Sequence, residues 1–129
     1  MIEIKEETKP TILYVDDEPI NLDVLKINLR KQFTVLTAES AKDGLVILES
    51  HPDIKIVISD MRMPEITGIE FIKMAREQFP NVVYCVLTGY EITDEIKLAL
   101  ESGLIKHYFK KPFEAPILRQ TLIDLLDNN

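Results

Sequence analysis

Five short apolar runs rich in β-branched residues alternate strictly with segments of helical spacing, and that alternation narrows the fold more than any other feature of the chain. The runs are TILYV (11–15), FTVLTA (33–38), IKIVIS (54–59), VVYCVL (82–87) and HYF (107–109). Between and after them, apolar residues recur near every 3.6 positions: Leu22, Leu25 and Leu29; Leu45 and Leu48; Ile69, Ile72 and Ala75; Ile96, Ala99 and Leu100; Leu118, Leu122 and Leu125. A strand-helix alternation of this kind calls for an α/β fold: a doubly wound five-stranded parallel sheet, joined by right-handed crossovers, with five helices on both faces. Punctuation agrees with the boundaries. Pro19 and Pro116 suit first helical turns, Ser40 with Asp43 three residues on resembles a capping box, Pro80 stops the third helix and Gly103 can close the fourth.

With 129 residues, the chain has room for one domain. Residues 1–9 read as a short solvated tail ahead of a domain over 10–127, and no internal repeat or low-complexity segment interrupts it. A composition of 46% hydrophobic and 29% charged residues can bury a core, and the net charge of −7 argues against direct binding to nucleic acid or anionic lipid, a discrete patch aside. The one cysteine, Cys85, lies inside an apolar run without an intramolecular partner, so neither a disulfide framework nor a thiolate metal cluster is expected. The amino terminus carries charges where a signal peptide needs an apolar core, and no segment is long enough to span a bilayer; the expected location is cytoplasmic, without membrane insertion.

The first apolar run drives into three consecutive acids, Asp16, Asp17 and Glu18, and the third ends in Asp60. One acid there could simply cap the following helix and complement its dipole. A second acid arriving from another strand changes the reading, because in a sheet of order 2-1-3-4-5 the first and third strands are neighbours and ligands bind in the crevice at their carboxyl ends. Two like charges about 4 Å apart repel by roughly 4 kcal/mol at an effective dielectric of about 20, against a domain stability of roughly 5–15 kcal/mol. Either one acid is protonated or a cation sits among them, and an all-oxygen ligand set suits Mg²⁺ with waters left over for a phosphate. At the same edge the fourth run stops at Thr88 and the fifth leads into Lys110 and Lys111, a hydroxyl and ammonium groups beside the acids. Singly, Thr88 could be a turn cap and Lys111 a solvated lysine.

Taken together these residues resemble the response-regulator receiver domains of two-component signalling, over about Pro10 to Leu126. The resemblance is carried by VDDEP (15–19), by SDMRMPEITG (59–68) with Asp60, Met63, Pro64 and Gly68 in the family's spacing, by Thr88 and by YFKKPF (108–113). It implies that Asp60 is the phosphoacceptor. It implies further that Asp16, Asp17, Asp60 and the backbone carbonyl of Arg62 hold Mg²⁺, with Mn²⁺ a possible substitute. Thr88 and Lys111 would contact the phosphoryl oxygens, Lys111 rather than Lys110 because the functional lysine stands immediately before Pro112, whose preceding peptide bond is commonly cis in the family. Tyr108 would be the aromatic switch, though an ordinary half-buried strand tyrosine is the alternative. Arg62 and Tyr90, each two residues past a site residue, would flank the phosphoryl group and slow its hydrolysis. His51 and His107 are expected to be structural or exposed.

The resemblance thus implies a phosphoacceptor switch and no enzyme beyond its own phosphorylation and dephosphorylation. The expected partners are a histidine kinase or phosphotransfer protein and, through the face of Ile96–Gly103, His107–Phe109 and Glu114–Leu126, a downstream protein or an output domain outside this chain. Leu104 stands where many receivers have alanine, and SGLIKHYF (102–109) is closer to receivers joined to phosphodiesterase or kinase modules. Three other readings compete. A flavodoxin-like cofactor protein needs glycine or hydroxyl residues after the first strand, and none lies between Val15 and Asn21. A Mg²⁺-dependent aspartate-nucleophile phosphatase of the haloacid dehalogenase type places its nucleophile and acid at D-x-D, where this chain has Glu18. A receiver-like interaction module that is never phosphorylated has no need of the complete residue set.

Overall fold

The computed structural model describes residues 9–89 and 91–128. Strands β1 (Thr11–Val15), β2 (Thr34–Ala38), β3 (Ile54–Asp60), β4 (Val83–Thr88) and β5 (His107–Lys110) alternate with helices α1 (Pro19–Leu29), α2 (Ala41–Ser50), α3 (Gly68–Gln78), α4 (Asp94–Glu101) and α5 (Ala115–Asp127). All four strand pairings are parallel, as the alternation predicts, and the order is β2-β1-β3-β4-β5, the one in which the first and third strands are neighbours.

Side chains alternate across the sheet and sort the helices into two layers. Ile12, Tyr14, Ile56, Ile58, Cys85, Leu87 and Phe109 face α1 and α5, where Leu22, Leu25, Leu29, Leu118 and Leu122 meet them. Leu13, Val15, Val57, Tyr84 and Val86 face the opposite layer, built from α2, α3 and α4 through Leu48, Ile69, Ile72, Ile96 and Ala99. The central strands β1 and β4 are buried throughout, whereas the edge strands β2 and β5 are partly exposed, which is why only the central ones read as unbroken apolar runs. Truncating a wholly buried anchor such as Leu25 to alanine is expected to cost about 2–5 kcal/mol.

Two apolar runs begin one residue before their strands. The Phe33 amide donates to the Leu29 carbonyl and that of Val82 to the Phe79 carbonyl, so turn bonds claim these residues while their side chains still pack with the core. At α2 the Ser40 hydroxyl accepts from the Asp43 amide. The fuller cap lies at α3, where Thr67 Oγ1 accepts from the Glu70 amide (3.1 Å) and Glu70 Oε1 from the Thr67 amide (2.7 Å). Gly103 follows α4 with φ +79°, a conformation that favours glycine. No helix among the described residues is long and apolar enough to cross a membrane.

Candidate functional site

Because Val15 stands in register with Ser59 on the adjacent strand, Asp16 and Asp60 leave the sheet side by side. Asp16, Asp17 and Asp60 each offer a carboxylate oxygen, and these atoms lie within 4.8 Å of one another. Asp16 has no exposed surface, Asp60 is nearly buried and Asp17 is half-buried. None of the three serves as the helix cap that a simpler reading allowed. Glu18 is the N-cap of α1 without a side-chain bond, and its amide instead donates to Asp16 Oδ1 at 3.0 Å.

The other strands complete the pocket. β5 delivers Lys111, whose ammonium bridges Asp16 Oδ2 (3.0 Å) and Asp60 Oδ1 (3.3 Å). The backbone holds it there, since the Lys111 amide donates to the Thr88 carbonyl at 2.8 Å and buried Thr88 ends β4. The Lys111–Pro112 peptide bond is cis, and Lys110, in register with Thr88, is exposed. Arg62 follows β3 with an exposed side chain at a cavity of about 380 Å³ shared with Thr88 and Met63. Tyr108 is half-buried, in register with Val86 and packed against the α2–α4 layer. Tyr90 lies outside the described residues. His51 is exposed, and the His107 ring sits 4.6 Å from that of Phe109, neither among the acids.

Charge and burial compete at this pocket. Burial raises the Asp60 carboxyl above its ordinary value, the charge of Lys111 pulls it down, the charge of Asp16 pushes it up, and the net direction is upward. For the Lys111 ammonium, burial alone acts downward, but the hydrogen bond to Asp16 and the charges of Asp60 and Asp16 outweigh it and leave it raised. Three carboxylates therefore face one ammonium in a desolvated crevice. This donor set fits a hard divalent cation such as Mg²⁺, which takes oxygen ligands and tolerates one or two protein carboxylates beside its waters.

Three contributors escape a reading of the sequence. Tyr14 and Asn21 both donate to Asp16 Oδ2, at 2.6 and 3.2 Å. Strand periodicity carries a signal for the first, since residues two apart on a strand share a face and Tyr14 stands two before Asp16. The third is Gly68 in its steric role: a Cβ there would lie 2.3 Å from the Asp60 carbonyl oxygen, so only glycine lets the start of α3 close over the end of β3.

The family model described as the response regulator receiver domain matches residues 12–123. The chain belongs to that family. Receiver domains are the phosphoacceptor switches of two-component signalling, and relatives of this one span several outputs. The hydrogenase transcriptional regulatory protein HoxA of Cupriavidus necator is 36% identical over 107 residues, 83% of this chain but 22% of that protein. A probable cyclic di-GMP phosphodiesterase of Vibrio cholerae is 32% identical over 120 residues, 92% of this chain and 27% of the relative. The receiver domain therefore spans about a quarter of the length of these relatives. Among solved structures, a response regulator receiver domain protein from Clostridium thermocellum superposes with a TM-score of 0.84 at 31% identity, covering 92% of this chain and 94% of that one.

Proposed function

We propose that this receiver accepts a phosphoryl group on Asp60 from a histidine kinase or phosphotransfer protein and thereby changes its affinity for a downstream partner. The observation that carries the reading is the Lys111 ammonium bridging Asp16 and Asp60, with Asp17 beside them. An Asp60 oxygen attacks phosphorus, the new O–P bond forms in line with the breaking bond to the donor, and the donor leaves with that bond's electron pair. No general base is needed, because Asp60 attacks as its carboxylate, the form that Lys111 favours and a bound cation would favour further. Lys111 then transfers its ammonium toward the phosphoryl oxygens, and the Thr88 hydroxyl donates to one of them. Asp16, Asp17, Asp60 and the Arg62 carbonyl would hold Mg²⁺ or Mn²⁺, which would supply the charge neutralisation that lets an anion approach an anion. Glu18 is exposed at the start of α1, so it gives no support to a phosphatase that would use it as an acid.

Coupling runs through α4, β5 and α5. Ile96–Gly103, His107–Phe109 and Glu114–Leu126 form a surface on which Leu98 and Ile117 are 64% and 59% exposed, with Tyr108 between layers as the switch. Tyr90 and Arg62 shield the acyl phosphate from water and lengthen its life. The domain proper runs over 10–127 and works in the cytoplasm. The deciding experiment is incubation with acetyl phosphate and Mg²⁺, followed by intact mass: the wild type gains one labile phosphoryl group and Asp60→Asn gains none. A variant that still gained it would refute the assignment of Asp60. Faster phosphate loss in Tyr90→Ala supports the shield, and an unchanged rate removes it.

A further inference from the structure

The Asp16 carboxylate accepts four hydrogen bonds, unevenly shared between its two oxygens. Oδ2 accepts from Tyr14 Oη (2.6 Å), Lys111 Nζ (3.0 Å) and Asn21 Nδ2 (3.2 Å), while Oδ1 accepts from the Glu18 amide. These donors differ in freedom. Lys111 is 25% exposed and borders a cavity of about 480 Å³ between α1 and the β5–α5 turn, so its ammonium has room to move. Tyr14 borders the same cavity, but its ring is only 1% exposed and is packed in the cluster of Leu22, Leu25, Ile58 and Leu87, so its hydroxyl is held on Asp16 by the core around the ring.

We propose that Tyr14, assisted by Asn21, is a positioning residue for the metal site: it fixes the Asp16 carboxylate and keeps Oδ2 hydrogen-bonded when Lys111 turns away to the phosphoryl group. This rests on the assignment of Asp16 as a metal-holding acid made above. A buried carboxylate stripped of a donor reorients to find another. Lys111 must leave Asp16 during the reaction, so a donor that stays is what holds the acid in one orientation through both states. Tyr14 is anchored by the sheet core and Asn21 by the first turn of α1, which ties the acid to two elements at once. The alternative is that Asp16 merely satisfies a buried hydroxyl, with no consequence for the pocket.

Mg²⁺ titrations followed calorimetrically on wild type, Tyr14→Phe, Asn21→Ala, Asp16→Asn and the Tyr14→Phe/Asp16→Asn double variant separate the two. Phenylalanine keeps the ring and removes only the hydroxyl. Loss of a partner behind a metal ligand typically weakens binding by at least about tenfold, and that is the fall expected in Tyr14→Phe. The Mg²⁺ concentration for half-maximal phosphorylation by acetyl phosphate rises with it, while the rate at saturating Mg²⁺ changes much less. In the Asp16→Asn background the further change should stay within about twofold, because Tyr14 acts through Asp16. Asn21→Ala, at a half-buried helix position, should weaken Mg²⁺ roughly threefold and serves if Tyr14→Phe does not fold. Wild-type Mg²⁺ affinity in Tyr14→Phe, or an equal loss with and without Asp16, overturns the proposal; wild-type affinity in a folded Asn21→Ala overturns it where that variant stands in. Wild-type affinity in Asp16→Asn overturns the metal assignment itself, whereas a weakened Asp16→Asn beside an unaffected Tyr14→Phe sinks this proposal alone.

Discussion

The two edges of the sheet carry opposite charges and hold them in opposite ways. At the carboxyl edge, Asp16, Asp17 and Asp60 crowd around Lys111 in a crevice largely shut off from water. At the amino edge, Lys9, Lys55, Arg76 and Lys106 surround a basin of about 880 Å³ with Asp53 as its carboxylate. There the charges are exposed and matched locally: Lys9 donates to the Arg30 carbonyl at the end of α1, Arg76 to the Gly103 carbonyl after α4, and Asp53 accepts from the Thr11 hydroxyl. Carbonyls and the negative ends of helix dipoles collect at this edge, and cations answer them. The charges of the basin thus stay in solvent, while the acidic crevice holds its carboxylates with little water to screen them. Chemistry follows the buried charge.

Loading the acidic edge with metal should produce the largest effect. Mg²⁺ at a hundredfold excess over its Kd adds about 2.7 kcal/mol to the native state, read as a rise in Tm, and Asp17→Asn should abolish that response while leaving the metal-free protein as stable or more so. An undiminished response in Asp17→Asn would break the contrast between the edges. Next comes Gly68→Ala, which drives a Cβ into the Asp60 carbonyl and should cost about 1–3 kcal/mol in denaturant melts. Wild-type stability there would mean that the contact relaxes freely.

A smaller effect should appear on pH. Because the folded Asp60 carboxyl is raised, the native state retains a proton that the unfolded chain has already released. Its contribution is therefore favourable at low pH and is lost as pH rises through the folded value. Without metal, Asp60→Asn should melt a few degrees above wild type at neutral pH, and the gap should close below the ordinary carboxylate range. A gap that widened on acidification would reverse the sign. Smallest of all, Lys55→Ala and Lys106→Ala at the basic edge should each stay within about 0.5 kcal/mol of wild type and leave phosphoryl gain untouched.

The sheet order and the convergence of Asp16, Asp17, Asp60, Thr88 and Lys111 were legible because strand ends and period-two patterning are local properties that topology turns into neighbours. Glu18 shows where local rules mislead: it stands where a capping side chain is expected, yet the bond runs from its backbone to Asp16. Tyr14 escaped because its ring satisfies the apolar pattern and its hydroxyl acquires meaning only beside a carboxylate two residues on. Thr67 with Glu70 had an explicit capping signature, overshadowed by the Asp60 motif around it.

Lys111 meets Asp16 across 95 residues of chain, and the pocket draws on the ends of β1, β3, β4 and β5. No fragment that begins after Asp16 or stops before Lys111 contains it. A chain cut or still unmade within that span lacks the lysine, an acid or both, and one melted there fails to bring them together. Receipt of a phosphoryl group is then also a certificate that the last strand has docked, so a cell reading this signal polls only molecules that have finished folding.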